Sequence, residues 1–358
     1  MSRKKVLLGM SGGVDSSVAA ILLKEQGYDV TGITFNLWED EPEKGGCGSS
    51  LTILDAKKVC DKLEIPHIVL ELKKEFKDYV IDDFVKKYNQ CQTPNPCVEC
   101  NKYLKFSKMY EKACELGIEY IATGHYANTK YNEKYERVGV KKSESVKKDQ
   151  SYVLYSIPKE IIEKTIFPLG EYDNKEQIRQ KAMQYNLDIA DKPDSQEICF
   201  IPDDDYINFL ESRCHITKKE GDIVRVQGEV LGKHEGLYRY TVGQRKGIHT
   251  KSNDKLYVIK LDKEKNELIV GEEKFLFSKE LYVYDINLLL IDEVTTPIRV
   301  NAKIRYQAKE SPATIYPIED RKMRVEFDEP QRAITKGQSI VFYVDDYVLG
   351  GGKIGDVR

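Results

Sequence analysis

The sequence lacks any apolar run of membrane-spanning length, and so predicts no transmembrane helix and no membrane partner. Its first ten residues, MSRKKVLLGM, also lack the long apolar segment and small-residue cleavage site of a secretory signal peptide. We therefore expect a cytoplasmic protein. Because cytoplasmic thiols stay reduced, its eight cysteines are candidates for catalysis or metal binding rather than for a structural disulfide framework.

An excess of positive charge is missing as well, since the formal net charge is −3 at pH 7. Bulk charge therefore gives no argument for nucleic acid binding, and only a local basic patch could supply one. Internal repeats are also absent. The content of 41% hydrophobic and 32% charged residues is typical of an ordinary globular protein, and 358 residues suggest two or three domains.

Strand and helix signals alternate through the first half of the chain. Strand-like segments lie at Lys5–Met10, Val30–Phe35, His67–Leu72 and Tyr120–Thr123. Helical spacing of apolar residues occurs at Val14–Gln26, Leu51–Leu63, Phe76–Tyr88 and Lys102–Leu116. Such alternation indicates βαβ units with a parallel sheet covered on both faces, which is a doubly wound α/β domain.

The second half has short strand-like segments at close spacing and is predicted to be β-rich. These segments are Asp222–Val226, Leu256–Leu261, Glu267–Gly271, Arg299–Ile304 and Ser339–Val344. They indicate two small sheets or barrels. Boundaries near Pro202 and Phe275 give three predicted domains, at residues 1–201, 202–274 and 275–358.

A glycine- and serine-rich turn, GMSGGVDSS, follows the first strand and opens the first helix. Gly12 and Gly13 let the backbone approach a phosphate, and the helix start offers unpaired N–H groups to that anion. Serine hydroxyls add donors, and Asp15 could orient the loop or hold Mg²⁺. The loop contains no lysine, which excludes the Walker pattern. The simpler alternative is a tight turn in which Asp15 and Ser16 only cap the helix.

The segment SGGVDSS resembles the PP-loop of ATP pyrophosphatases, which cut ATP between the α and β phosphates and adenylate an acceptor. Further segments resemble elements of the bacterial tRNA-specific 2-thiouridylases in the family's order. They are NPCVECNKYLKF, ATGHYA, KDQSYVLY, DSQEICFIP, YTVGQRKGI and LGGGKI. The resemblance implies a PP-loop domain, a small central domain and a C-terminal β-barrel.

The same resemblance implies a reaction and its partners. Sulfur would replace the C2 oxygen of the wobble uridine, position 34, in tRNAs for Lys, Glu and Gln. ATP with Mg²⁺ would first adenylate that oxygen, and a cysteine persulfide would then supply the sulfur. A cysteine desulfurase or a relay protein would load the persulfide.

The resemblance also implies site residues. ATP contacts would come from Gly9, Met10, Ser11, Gly12, Gly13, Val14, Asp15, Ser16, Phe35 and Gly124. The target base would contact Asn95, Pro96 and Cys97. The rest of the tRNA would contact His125, Lys148, Asp149, Gln150, Arg305, Tyr306 and Gln338. Phe35 stands where the family often has Met, so an aromatic ring would face the adenine side.

Two cysteines would carry the sulfur chemistry, with Cys100 as the nucleophile and Cys199 as the persulfide carrier. Thiol–disulfide exchange between them would release the sulfur and leave a bridge to be reduced. Cys97, at the usual position of an Asp, completes a C-x-x-C pair. A structural zinc site would require a second C-x-x-C pair, which the sequence lacks. A redox dithiol would be expected in a thioredoxin-like sequence context, which is also missing. An iron–sulfur cluster held by Cys97, Cys100 and Cys199 is the stronger alternative.

Two other functions are compatible with parts of the sequence. A different PP-loop enzyme could adenylate a small metabolite, and a cysteine-rich RNA-binding module would need no catalysis. The PP-loop argues against the second alternative. Arg239, Arg245, Lys246 and Lys251 form a run without acids, which is either a phosphate footprint for tRNA or a solvated loop.

Overall fold

The computed structural model describes residues 3–38, 48–187, 198–201, 205–250, 252, 254–319 and 322–358. Several predictions fall on residues outside these ranges: Cys47, Lys251, Pro202 and the DSQE part of the DSQEICFIP segment. Among the described residues, no helix is both long and apolar enough to cross a membrane.

Seventeen strands occur in the described ranges. Seven lie in the first half of the chain: β1 (Lys5–Gly9), β2 (Asp29–Asn36), β3 (His67–Glu71), β4 (Tyr120–Ala122), β5 (Asn128–Asn132), β6 (Arg137–Lys141) and β7 (Thr165–Ile166). Ten follow: β8 (Gly221–Arg225), β9 (Val230–His234), β10 (Tyr257–Asp262), β11 (Glu267–Gly271), β12 (Phe277–Leu288), β13 (Ile298–Lys303), β14 (Ser311–Ile318), β15 (Lys322–Arg332), β16 (Ser339–Val344) and β17 (Tyr347–Val357).

Nine α-helices are described. They are α1 (Val14–Glu25), α2 (Ser50–Lys62), α3 (Lys73–Phe76), α4 (Asp82–Asn89), α5 (Pro96–Cys100), α6 (Met109–Glu115), α7 (Lys159–Ile162), α8 (Lys175–Gln184) and α9 (Tyr206–Asn208). Three π-helical segments extend them, at Lys77–Ile81, Asn101–Lys108 and Phe209–Arg213. Short 3-10 turns lie at Ser151–Leu154, Leu237–Arg239 and Glu273–Leu276.

The first part of the chain forms a five-stranded parallel sheet in the order β3-β2-β1-β4-β7. Alternate residues of β1 point to opposite faces. Val6 and Leu8 belong to a core with Val18 of α1, whereas Leu7 packs on the other side with Phe106. Both faces are therefore covered, as the continuous apolar pattern of a buried parallel strand requires, and the predicted doubly wound α/β domain is confirmed.

A four-stranded sheet in the order β10-β11-β8-β9 forms the middle part, around a small core of its own. The C-terminal part is a six-stranded barrel, β12-β15-β14-β13-β16-β17, which the pairing of β12 with β17 closes. These are the predicted small central β-rich domain and C-terminal β-barrel.

The barrel is also tied to the first part of the chain. The hairpin β5–β6 extends the barrel sheet through a pair between Lys141 and Tyr347. Tyr152 donates a hydrogen bond to the carbonyl oxygen of Ser339 at 2.7 Å, and the hydroxyls of Tyr155 and Ser339 lie 3.0 Å apart. The sequence did not predict this hairpin, whose strands carry mostly polar residues.

Candidate functional site

The predicted phosphate loop lies between β1 and α1. Gly12 has a φ of +65°, and a Cβ there would lie 2.7 Å from the carbonyl oxygen of Thr52, so the turn requires glycine. Gly13 occupies the N-cap position of α1, and no side chain caps the helix from there. The first N–H groups of α1 can therefore bind an anion, together with the positive end of the helix dipole.

Serine and threonine hydroxyls fix the shape of this loop. Ser16 Oγ accepts a hydrogen bond from the Ser11 N–H at 3.2 Å and donates to the carbonyl oxygen of Gly13 at 3.1 Å. Thr34 of β2 donates to the carbonyl oxygen of Met10 at 2.8 Å. Ser16 thus ties the loop together instead of capping the helix N–H groups, in contrast to the simpler alternative considered for this turn.

A lysine from a distant helix reaches the loop. Lys175, the first residue of α8, places its Nζ 2.6 and 2.7 Å from the two carboxylate oxygens of Asp15. The Tyr126 hydroxyl donates to the same carboxylate at 2.7 Å. The loop contains no lysine of its own, but the fold supplies one. Sequence reasoning missed Lys175 because only the tertiary packing of α8 on α1 brings it there.

The other residues predicted to contact ATP lie at the carboxyl ends of the same strands. Gly124 follows β4, and a Cβ there would lie 2.9 Å from the backbone nitrogen of Ser16. Phe35 is half-buried near the end of β2, next to β1 in the sheet. This edge of a parallel sheet is where ligands bind in open α/β folds.

His125 follows Gly124 and has an apolar setting. Its ring lies 5.8 Å from Phe106 and 6.3 Å from Phe167, and its Nδ1 is 2.8 Å from Thr123 Oγ1. Burial, with a smaller contribution from the nearby Lys105 charge, lowers the pKa of His125 to about 3. The imidazole is therefore neutral at physiological pH and suits a hydrogen bond better than an ion pair with phosphate.

Cys100 and Cys199 both belong to one apolar cluster, which we call the thiol cluster. Its aromatic members are Phe76, Phe84, Phe200, Phe209, Trp38, Tyr88 and Tyr238. Cys100 is buried in it and Cys199 packs against it, half-buried. The ring of Phe200, next to Cys199, makes edge-to-face contacts with Phe76 and Phe84. The fold thus places two cysteines that are far apart in sequence in the same core cluster.

The helix that carries Cys100 changes from an α-helix to a π-helix directly after this cysteine. Cys100 ends α5, and the chain continues as a π-helix from Asn101 to Lys108, a rare form that often marks functional sites. Asn101 is 1% exposed and donates from Nδ2 to the carbonyl oxygen of Val153 at 3.0 Å. Its Oδ1 is buried without a hydrogen-bond partner, next in the chain to the Cys100 thiol.

Cys97 faces outward from the first turn of α5 and is exposed. Tyr306 of the barrel is near it: burial raises the pKa of Tyr306, with smaller contributions from the charges of Asp149 and Cys97. Within the described ranges, which include Cys97, Cys100 and Cys199, no three His, Cys, Asp or Glu side chains are grouped so that they could hold a metal ion. The three thiols therefore do not fit the cluster alternative.

The residues predicted to contact tRNA lie along the seam between the first part of the chain and the barrel. The Tyr306 hydroxyl donates to the carbonyl oxygen of Asp149 at 3.2 Å, and Gln150 Oε1 accepts the N–H of Tyr126 at 2.9 Å. Gln338 Nε2 donates to the carbonyl oxygens of Thr93 and Pro94, just before Asn95 and Pro96. Tyr306 and Gln338 thus tie the barrel to the first part of the chain, whereas Gln150 bonds within the first part.

The basic residues differ in whether protein contacts already engage them or leave them exposed for tRNA phosphate. Arg305 donates to the carbonyl oxygen of Arg332 at 3.1 Å, and Lys148 is half-exposed beside Asp149. In the predicted basic run, Arg239 forms ion pairs with Glu211 and Glu235, whereas Arg245 and Lys246 are exposed. Only part of that run can therefore serve as a phosphate footprint.

Three family models match successive parts of the chain. A model described as "tRNA methyl transferase HUP domain" matches residues 4–203. One described as "tRNA methyl transferase PRC-barrel domain" matches residues 207–272, and an "Aminomethyltransferase beta-barrel domain" matches residues 278–354.

Curated relatives match over nearly the whole length. The tRNA-specific 2-thiouridylase MnmA of Acetivibrio thermocellus is 49% identical, over 99% of this chain and 100% of the relative. The proteins of the same name from Clostridioides difficile and Clostridium acetobutylicum are each 47% identical. Those two alignments cover 98% of this chain, and 98% and 99% of the respective relatives.

Proposed function

The chain belongs to the tRNA-specific 2-thiouridylase family, and from this membership we propose that it thiolates the wobble uridine of tRNAs for Lys, Glu and Gln at C2. It is an ATP-using tRNA sulfurtransferase. The observation that supports the proposed mechanism is that Cys100 and Cys199, far apart in sequence, share the thiol cluster, in a chain whose first helix begins with a phosphate loop.

Adenylation comes first because the C2 oxygen of uridine is a poor leaving group. That oxygen attacks the α-phosphorus of ATP, the bond to the bridging oxygen of the β-phosphate breaks, and pyrophosphate leaves. The start of α1 binds the phosphates through its N–H groups. Lys175 lies close enough to the loop to neutralise the charge that develops on the pyrophosphate.

Mg²⁺ fits this loop in a limited way. Asp15 is a carboxylate at the loop, and Mg²⁺ in nucleotide sites takes one or two carboxylates together with the substrate phosphates. When bound, the ion would neutralise phosphate charge. Tyr126 and Lys175 would orient the Asp15 carboxylate toward the phosphates.

Sulfur transfer uses the two cysteines as a pair. The Cys100 thiolate attacks Sγ of the Cys199 persulfide, and the bond from Sγ to the terminal sulfur breaks. That sulfur leaves as hydrosulfide and attacks C2 of the adenylated uridine, from which AMP departs with the original oxygen. The terminal sulfur gains two electrons, and the two cysteines lose them as they form a disulfide. An external thiol reductant then restores the cysteines.

Partners and compartment follow from this chemistry. The persulfide must be loaded by a sulfur donor, which we propose to be a cysteine desulfurase or a relay protein. Because the reaction needs Cys100 and Cys199 as thiols at its start, a reducing compartment such as the cytoplasm suits it. The tRNA would lie along the seam, with its target base near Asn95, Pro96 and Cys97.

The test is mass spectrometry of tRNA incubated with purified protein, ATP, Mg²⁺ and a persulfide donor. We expect wobble 2-thiouridine with the unaltered protein, and a loss of at least a hundredfold for Cys100→Ala and for Cys199→Ala. Cys114→Ala, which alters an exposed thiol of α6, is the matched control and should retain full activity.

Cys97→Ala separates the persulfide route from the cluster route. It should weaken tRNA binding yet still permit thiolation, because the persulfide route needs only Cys100 and Cys199. Complete loss with Cys97→Ala, together with iron in anaerobically purified protein, would favour the cluster. Thiolation by Cys100→Ala at the normal rate would contradict the proposed mechanism.

A further inference from the structure

Helix α5 is held from the barrel side by a buried ion pair next to Cys100. The Glu99 carboxylate lies 2.8 Å from Nζ of Lys353, which belongs to β17, the last strand of the barrel. The two side chains are only 8% and 3% exposed. Lys87 of α4 approaches the same carboxylate at 3.2 Å. A residue adjacent to the proposed nucleophile is thus bonded to the far end of the chain.

The surroundings of this pair favour the charged form of Glu99. Burial opposes ionisation of Glu99, but Lys353 and Lys87 outweigh it and hold the pKa of Glu99 below its ordinary value. Lys353 Nζ also lies 3.3 Å from Ser339 Oγ, which in turn meets the Tyr155 hydroxyl at 3.0 Å. Buried charges are costly unless such partners surround them.

A second set of contacts from the barrel holds the segment just before α5. The loop between β15 and β16 contributes Gln338, whose Nε2 donates to the carbonyl oxygens of Thr93 at 3.0 Å and Pro94 at 3.2 Å. The Lys336 carbonyl oxygen accepts the Thr93 N–H at 3.0 Å. Gly337 has a φ of +90°, and a Cβ there would lie 2.7 Å from Gln92 Cβ.

These contacts have the character of a positioning device. A well-packed apolar pair is often as stable as a buried ion pair, but an ion pair fixes a direction as well as a contact. The barrel contributes no thiol to the thiol cluster, yet it holds the segment that ends in Cys100 from two sides. The barrel also carries Arg305 and Tyr306, so the residues predicted to contact tRNA and the contacts that hold the Cys100 helix belong to the same barrel.

We propose that Glu99 and Lys353 are positioning residues for sulfur transfer, which set the Cys100 thiol against the persulfide on Cys199. This inference rests on the proposed role of Cys100 as the attacking thiol. Adenylation occurs at the phosphate loop, which neither residue contacts, and Gln338 separately holds Thr93 and Pro94 just before the residues proposed to contact the base. Loss of the pair should therefore slow sulfur transfer selectively, since small misplacements of reacting groups cost about a hundredfold in rate.

The experiment compares two rates in one protein. Unaltered protein and Lys353→Met are preloaded with persulfide from inorganic polysulfide, then mixed with tRNA and Mg-ATP in a single turnover. We expect pyrophosphate release within about twofold of the unaltered protein, and 2-thiouridine formation at least tenfold slower. The double variant E99Q/K353M removes both buried charges. It takes the place of Lys353→Met in the same measurement if the single variant does not fold.

Arg137→Met is the matched control. The Arg137–Asp292 ion pair, at 3.2 Å, also joins the first part of the chain to the barrel but does not touch α5. It should leave the ratio of the two rates unchanged. If Lys353→Met and the double variant slow both steps equally, or neither, the positioning role is wrong. Undiminished thiolation by Cys100→Ala would instead overturn the proposed function, so the two failures are distinguishable.

Discussion

Single residues at the phosphate loop show where sequence patterns stop being informative. The pattern SGGVDSS identifies Gly12 as a turn residue, and its φ of +65° confirms that only glycine fits easily. The same pattern is silent about Lys175, because an ion pair with Asp15 across about 160 residues depends on how α8 packs. Local conformation can be predicted from sequence, whereas the partner of a charged side chain cannot.

Lys175→Met should reduce adenylation sharply. Removing a preorganised charge from a reacting centre typically costs about a hundredfold or more in rate, and Lys175→Arg should restore part of it. The measurement is tRNA-dependent pyrophosphate release. Lys181→Met is the control, since Lys181 lies on the same helix but pairs with Glu25. Adenylation by Lys175→Met at the normal rate would show that Lys175 only braces Asp15.

His125 should make stability depend on pH. Its pKa is about 3 in the folded protein and about 6.5 when exposed, so the unfolded state binds the extra proton. Its contribution is therefore fully present above pH 6.5 and is lost progressively as the pH falls toward 3. Because the ring is partly exposed, we expect a loss of about 1 kcal/mol by pH 5.

The contribution of His125 to stability can be measured by urea unfolding of the unaltered protein and of His125→Gln, each at pH 7.5 and at pH 5.0. The free energy of unfolding should fall less for the variant between the two pH values, by about 1 kcal/mol. Equal falls would mean that the pKa of His125 is the same in the folded and the unfolded protein, so that burial does not favour the neutral imidazole.

At the scale of elements, periodicity located the main strands and helices but not their irregularities. The segment predicted as one helix over Lys102–Leu116 begins earlier, at Pro96, and contains a π-helical stretch. Helical spacing of apolar residues does not reveal a change from i−4 to i−5 hydrogen bonds. The hairpin β5–β6 was missed because β5, with the sequence NTKYN, is almost entirely polar and β6 offers only Val138 and Val140 as an apolar pattern.

Gly124→Ala should weaken ATP binding by displacing the start of α1. A Cβ at this position meets the Ser16 nitrogen at 2.9 Å and the Asp15 carbonyl carbon at 3.0 Å, which are backbone atoms that cannot rotate away. We expect about a tenfold rise in Kd for ATP, measured by calorimetry, and a loss of about 1–3 kcal/mol in stability.

Gly271→Ala separates general overpacking from this specific effect. Its Cβ would lie 2.8 Å from a Val226 side chain in the middle sheet, so it should also destabilise the protein. Its affinity for ATP should stay unchanged. Equal ATP affinity in Gly124→Ala and the unaltered protein would argue that the contact between β4 and α1 plays no part in binding phosphate.

At the scale of the whole molecule, packing contacts connect the parts of the chain that we propose to carry the chemistry and the tRNA recognition. Boundaries near residues 202 and 275 follow changes in composition, but composition does not report contacts that cross them. Phe209 and Tyr238 join the thiol cluster, whereas Val341 and Tyr343 of the barrel join the core on one face of the parallel sheet. Non-local packing of this kind leaves no local pattern, so the sequence could indicate three domains without indicating their interdependence.

This interdependence predicts that the first part of the chain and the barrel unfold together. Phe327 is 1% exposed in the barrel core, and Phe327→Ala should cost about 3–5 kcal/mol. The single tryptophan, Trp38, lies in the thiol cluster and therefore reports on the first part of the chain and the middle residues packed against it, and not on the barrel. If the seam makes one cooperative unit, the unfolding midpoint seen by Trp38 fluorescence should fall as far as that seen by far-UV circular dichroism.

A Trp38 midpoint that stays unchanged while the circular dichroism midpoint falls would mean that the barrel melts independently. The positioning of Cys100 by Lys353 would then need only local contacts, because the barrel could loosen elsewhere without moving helix α5.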